Sequence, residues 1–225
     1  MSIRSTEKTK EPRLRETGIV SNEEIAPGIF RLTFPREHDF IPGQTLALTT
    51  DLSIPPRYYS IASGRREPLI EVLYDLVPEG ELTPRLARLG PADGLLVSEA
   101  FGSFRDSEGA SLWVAAGTGI APFASMARSG ITEARTLVHG SRTLAGLFLA
   151  EYFSSVLGGR YVPCCTRESR DGVSRGRVTT WLASANLPAV DRYLVCGGSR
   201  MVVDARDVLI ERGVPFNRIE AEIYF

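Results

Sequence analysis

From Leu14 to about Phe104, apolar and polar residues alternate in short runs that proline and glycine cut apart. Gly28-Ile29-Phe30-Arg31-Leu32-Thr33-Phe34 and Gln44-Thr45-Leu46-Ala47-Leu48-Thr49 both keep the two-residue period of a strand. In Ile70–Val77 the even positions form one apolar face. Pro27-Gly28, Pro42-Gly43, Pro55-Pro56 and Pro78-Glu79-Gly80 separate the runs. Many short strands with such turn signals predict an antiparallel sandwich or barrel. One helix interrupts them, with Leu82, Leu86 and Leu89 at helical spacing, Thr83 as N-cap and Pro84 at the first helical position.

Beyond Ser111 the period changes. Leu112–Ala116 is a short apolar run that ends in Gly117-Thr118-Gly119 and opens a helix through Met126. Thr136–His139 is the next strand, followed by a helix carrying Leu144, Leu147, Phe148, Tyr152 and Val156 on one side and stopped by Gly158-Gly159. Tyr161–Cys165 and Tyr193–Cys196 are further strands. A last helix starts at Ser199 as cap, shows Met201, Ala205, Val208 and Leu209 as its stripe, and ends at Gly213. Strands alternating with helices predict βα units on a parallel sheet. The expected domains are 14–107 and 108–225, behind a charged, disordered tail at 1–13.

Composition narrows the function classes. Lys+Arg 26 against Asp+Glu 27 gives a net charge of -1, so no basic footprint argues for nucleic acid. No apolar run reaches membrane-spanning length, and the N-terminus lacks a hydrophobic signal core. The three cysteines show no paired metal spacing, so no metal site is expected, and their odd number suits a reducing, cytoplasmic compartment.

The candidate chemistry begins at Arg57-Tyr58-Tyr59-Ser60. On a strand Arg57 and Tyr59 point one way, Tyr58 and Ser60 the other. A cation, a flat apolar wall and a hydroxyl suit an elongated, phosphate-bearing, ring-containing ligand such as a flavin nucleotide; a barrel strand with packed tyrosines has the same residues. Gly80-Glu81-Leu82-Thr83-Pro84 leads a turn into a helix, which is either a diphosphate site at Leu82 and Thr83 or an ordinary helix start. Gly117-Thr118-Gly119-Ile120-Ala121-Pro122 and Cys196-Gly197-Gly198-Ser199 are strand–glycine–helix junctions that let a ligand approach the backbone. Arg142, Arg167 and Arg177 each follow a strand end, where guanidinium forks suit a phosphate monoester. Arg65, Arg66, Arg85 and Arg88 either steer an acidic partner or are solvated surface charge. The C-terminal Tyr224 and Phe225 need something flat to pack on.

In this order and spacing the motifs resemble the ferredoxin–NADP(+) reductase family, especially its compact bacterial type, from about Thr17 to Phe225. Arg57-Tyr58-Tyr59-Ser60 is similar to the family's flavin motif, Gly80–Thr83 to its diphosphate motif, and Thr166-Arg167-Glu168 to its adenosine-phosphate segment. Ala221-Glu222-Ile223-Tyr224-Phe225 is similar to the bacterial ending. The resemblance implies an antiparallel six-stranded Greek-key β-barrel that binds FAD, followed by a parallel-sheet α/β domain that binds NADP(H). It implies that Arg57, Tyr58, Tyr59, Ser60, Tyr74, Asp75, Leu76, Gly80, Leu82, Thr83, Tyr224 and Phe225 bind FAD, with Tyr224 over the isoalloxazine face opposite Tyr59. Ser60 would sit near the flavin N5, with Cys196, Glu222 and Tyr224 completing the catalytic set. Gly117, Thr118, Gly119, Gly197 and Gly198 would line the nicotinamide side. Arg142, Thr166, Arg167 and Arg177 would read the 2′-phosphate.

The implied reaction moves hydride between NADP(H) and FAD and single electrons to or from a ferredoxin or flavodoxin, in a cytoplasmic monomer without membrane or nucleic-acid partners. Three alternatives stand beside it: a reductase component for a separate oxygenase, a free flavin reductase, and a redox-quiet binding subunit. Ser60, Cys196, Glu222 and Tyr224 together speak against the last, and Phe225 with the Thr83 site against the free flavin reductase. His38 and His139 are expected to be structural.

Overall fold

A computed structural model describes residues 12–106 and 109–224. The expected tail at 1–13 and the expected domain junction therefore fall largely, and Phe225 wholly, outside the described residues. The first seven strands are β1 (Leu14–Gly18), β2 (Ser21–Ala26), β3 (Ile29–Pro35), β4 (Thr45–Thr49), β5 (Arg57–Ser60), β6 (Leu69–Asp75) and β7 (Gly94–Ser98). They form two antiparallel sheets, ordered β1-β7-β4-β5 and β2-β3-β6. Only Ile19 and Val20 separate β1 from β2, so one bent strand serves both sheets and the count of six is met. A bridge between Ile61 and Val72 joins the sheets again on the other side. Leu32, Phe34, Leu48, Ile61, Val72, Tyr74, Leu86 and Leu95 fill the interior.

The remaining strands are β8 (Ser111–Ala116), β9 (Arg135–Ser141), β10 (Tyr161–Cys165), β11 (Ser174–Arg175), β12 (Arg192–Gly198) and β13 (Ile219–Tyr224). They make one parallel sheet, ordered β11-β10-β9-β8-β12-β13. Helices α2 (Ala121–Arg128), α3 (Ala150–Leu157), α4 (Val178–Ser184) and α5 (Ser199–Glu211) cover it, α1 (Thr83–Leu86) belonging to the barrel. Alternation along β8 sends Leu112 and Val114 to the cluster under α4 and α5, and Trp113 and Ala115 to the cluster of Phe123, Phe153 and Leu194. Burial on both faces explains why β8 reads as an unbroken apolar run.

That second cluster also contains Ala26, Ala62, Leu73 and Phe104, so the barrel and the parallel sheet share one core. Polar contacts reinforce the seam: Arg128 Nε donates to Glu67 at 2.8 Å and its Nη1 to Glu71 at 2.9 Å, while the Ser125 hydroxyl donates to the Ser63 carbonyl at 2.8 Å. At Gly43, with φ +98°, a Cβ would lie 2.1 Å from the Phe104 carbonyl oxygen, so glycine is required where the chain enters β4.

Three local expectations are corrected. Thr83 is the first residue of α1 rather than its cap; its hydroxyl accepts from the Val77 amide at 2.9 Å and so fastens the preceding turn. No side chain caps α5, whose N-cap position is Gly198 and not Ser199. The stripe that begins at Leu144 is helical only from Ala150; Leu144 and Leu147 lie in turns before it, closed by Leu149 at φ +65°.

Candidate active site

The central strand of the parallel sheet, β8, sends the chain to β9 on one side, and β12 flanks it on the other. The order of the strands reverses here, leaving a crevice at their carboxyl ends. Gly117-Thr118-Gly119 leaves β8 and Cys196-Gly197-Gly198 closes β12, so the two glycine junctions face each other across this switch point. A Cβ on Gly119 would lie 2.4 Å from the Cys196 carbonyl oxygen, while one on Gly117 would meet nothing within 4 Å. The loops thus lock to each other on one side and stay open to a ligand on the other.

The edge strand β13 brings the C-terminus into this crevice. Parallel pairing sets Glu222 beside Cys196 and Tyr224 beside Gly198. From the barrel, β5 delivers Ser60, whose hydroxyl donates to Glu222 Oε1, and β4 delivers Thr45, which donates to the same oxygen at 3.3 Å. Ser60 and Thr45 are direct partners across the β4–β5 ladder. Burial pushes the Glu222 carboxyl above the usual carboxylate range, against the opposing pull of the Ser60 and Thr45 hydrogen bonds. The Cys196 thiol, fully enclosed, is raised by burial and then by the Glu222 charge, so it is no free nucleophile. The Tyr224 hydroxyl is enclosed near Ser60 and Cys196 without a well-formed hydrogen bond among the described residues.

Along β5 burial rises from exposed Arg57 and Tyr58 through half-buried Tyr59 to buried Ser60. Tyr58 is 61% exposed and stands edge-on to Phe101, with ring centroids 5.2 Å apart. Tyr59 leans on the barrel core, edge-on to Tyr74, and burial pushes its phenol well up. Arg57 is exposed and makes no ion pair among the described residues. The amides of Leu82 and Thr83 have no acceptor among the described residues, which suits an anion. The Tyr74 side chain, at 1% exposure, stacks on Phe30 and is bonded to Asn22 at 3.0 Å, so β6 turns it into the barrel core. Asp75, the last residue of β6, accepts a hydrogen bond from Thr118 at 2.7 Å; Leu76 follows it, half-buried.

The arginines lie on the same sheet edge, beyond β9, β10 and β11. The Arg167 amide donates to the Arg142 carbonyl at 3.0 Å, and the Thr166 amide to the Ser141 carbonyl at 3.2 Å, so these two loops run side by side. The Gly176 amide, donating to the Cys165 carbonyl at 2.8 Å, brings Arg177 to the third. All three guanidinium groups are exposed and unpaired among the described residues. Glu168, next to Arg167, accepts from the Leu144 amide at 2.6 Å and so ties the same two loops together. Arg65 and Arg66 precede β6, and Arg85 and Arg88 lie in and just after α1. His139 is enclosed and bonded to Tyr161 at 3.0 Å, a core residue as expected.

Thr45 and the Asp75–Thr118 pair escape a reading by motif. The only sequence signal for Thr45 is its place on the alternating Gln44–Thr49 run, and nothing local ties it to a carboxylate 177 residues away.

Residues 113–207 match the model of the oxidoreductase NAD-binding domain. The chain is 32% identical over 190 residues to ferredoxin–NADP reductase A of Sorangium cellulosum, covering 70% of this chain and 67% of that one. It is 31% identical over 224 residues to the flavodoxin/ferredoxin–NADP reductase of Rhodobacter capsulatus, covering 82% and 80%. A crystal structure of a ferredoxin NADP+ reductase from Neisseria gonorrhoeae with bound FAD and NADP superposes with a TM-score of 0.83 at 21% identity, over 96% of this chain and 100% of that one. The last likeness is one of fold.

Proposed function

Because the chain belongs to the ferredoxin–NADP(+) reductase family, we propose that it is a flavoprotein oxidoreductase that exchanges hydride with NADP(H) through bound FAD and single electrons with a ferredoxin or flavodoxin. The observation that carries this reading is the convergence of Ser60, Thr45, Glu222 and Cys196 where the barrel meets the switch point of the parallel sheet. When bound, FAD supplies two-electron acceptance and one-electron release, chemistry that no side chain here provides.

The residues present fit that group. Arg57 and the unpartnered amides of Leu82 and Thr83 take its diphosphate, and the Gly80 turn lets the chain pass close by. Tyr59 is the flat wall on the barrel side. Ser60 presents its hydroxyl at the reacting edge, steadied by Glu222, whose raised proton affinity lets it keep or yield a proton there. Tyr224, its hydroxyl enclosed near Ser60 and Cys196, would cover the isoalloxazine face opposite Tyr59 and move aside for the nicotinamide ring. Gly117, Thr118, Gly119, Gly197 and Gly198 admit the nicotinamide end. Arg142, Arg167 and Arg177, with the Thr166 segment between them, bind the 2′-phosphate and favour NADPH over NADH. Three free thiols suit a cytoplasmic setting.

The test is an electron-transfer assay. FAD-loaded protein given NADPH should reduce a ferredoxin or a flavodoxin catalytically. NADPH oxidation that proceeds only with free flavin as acceptor would contradict the carrier assignment.

A further inference from the structure

The Asp75–Thr118 hydrogen bond is the one contact through which the barrel reaches directly into the Gly117–Gly119 loop among the polar contacts described above. Asp75 ends β6, and Thr118, 6% exposed, sits in the 3-10 turn after β8. The 2.7 Å separation and the acceptor character of a carboxylate settle the direction: the Thr118 hydroxyl donates its proton to Asp75 Oδ2. A threonine hydroxyl has one proton and two lone pairs. With the proton committed, Thr118 Oγ1 offers a ligand only acceptor capacity. The loop cannot yield by swinging toward β12, because Gly119 is already packed against the Cys196 carbonyl. On the side of Gly117 it is open.

We propose that Asp75 is a positioning residue for hydride transfer: by fixing the hydroxyl rotor of Thr118 it builds an acceptor that takes an N–H of the nicotinamide carboxamide and so orients the ring. This rests on the NADP(H) reading above. The pyridine C3 substituent then becomes a specificity element. A primary amide supplies the N–H; a methyl ketone in its place has none and leaves the Thr118 lone pair facing an acceptor or a methyl group.

The test compares NADPH with its 3-acetylpyridine analogue, in wild type and in Asp75→Ala, Asp75→Asn and Thr118→Val, all loaded with FAD. Two readouts are taken: the single-turnover rate of flavin bleaching, and the calorimetric Kd of the two oxidised nucleotides. The intrinsic difference between the two hydride donors cancels when each variant's preference is divided by that of wild type. Expected is a loss of preference for the carboxamide of about five- to tenfold in Asp75→Ala and in the isosteric Thr118→Val, the worth of about one hydrogen bond. Asp75→Asn keeps an amide oxygen as acceptor and should recover most of the preference. An unchanged preference in both Asp75→Ala and Thr118→Val would overturn the proposal, as would equal losses with both nucleotides, the mark of a merely structural bond. Wild type that is bleached by neither nucleotide and binds neither would instead remove the NADP(H) reading, and the inference with it.

Discussion

Ser60 owes its position to two residues far away in sequence, Thr45 across the β4–β5 ladder and Glu222 on β13. The three oxygens share one enclosed space, so removing the Ser60 hydroxyl has two effects. On the proposed reading a group at the reacting edge is lost, and Glu222 loses the larger of its two charge-stabilising hydrogen bonds, which moves its carboxyl further up. Ser60→Ala should therefore slow flavin reduction by NADPH about 100-fold, the scale of a misplaced reacting group. The alkaline limb governed by Glu222 should shift to higher pH. Stopped-flow rates across pH check both, and an unaltered rate would separate Ser60 from the chemistry. His139 gives a pH effect of another kind. Burial holds its imidazole down at about 3 against an ordinary 6.5. The unfolded chain protonates first as pH falls, so native stability is present above pH 6.5 and declines through the window down to about 3. The slope from this group is at most about 1.4 kcal/mol per pH unit. Urea unfolding at pH 7 and pH 5 should show that loss in wild type and a smaller one in His139→Gln.

Strand β13 is the element on which the site depends, because a parallel edge strand delivers Glu222 and Tyr224 to Cys196 and Gly198 with a register that pairing alone fixes. On the proposed reading, deleting Tyr224 and Phe225 removes the Tyr224 cover without cutting the Glu222–Cys196 pairing. The shortened chain should bind NADP(+) more tightly, by about tenfold, and discriminate less against NADH, as the nicotinamide no longer competes with a tyrosine ring. Calorimetry with both nucleotides measures this; unchanged affinities would mean that Tyr224 covers nothing the ring needs. The change of period near Ser111, and with it the barrel and the parallel sheet, was legible from the chain, because burial on one face or on two leaves alternate or continuous apolar runs. The two glycine junctions were legible for a similar reason, since Gly117 at φ +59° and Gly197 at φ +151° meet local backbone demands. What escaped was set by docking. Thr45 and Asp75 acquire partners only when the barrel meets the sheet. Thr83 and Ser199 failed as caps because their neighbourhoods use the hydroxyl or the backbone otherwise.

At the scale of the whole molecule, the reaction requires two halves held at fixed distance, and the shared core of Ala62, Leu73, Phe104 and Phe123 does this. Arg128 is its polar counterpart, meeting Glu67 and Glu71 across the seam; the Glu71 side chain is only 9% exposed. Arg128→Ala would leave two carboxylates facing each other, one of them buried. The expected cost is about 3 kcal/mol, at the lower end for a broken buried pair because Arg128 is partly solvated. Urea midpoints test it, and a change below about 0.5 kcal/mol would show that the apolar seam suffices.

The central claim is that this chain passes hydride from NADPH to a bound FAD. An anaerobic absorbance titration of the purified protein with NADPH and then NADH, with mass analysis of the released flavin, tests it most directly. The account predicts a yellow protein that releases FAD and bleaches faster with NADPH than with NADH. A colourless protein that neither retains added FAD nor reacts with either nucleotide would contradict it.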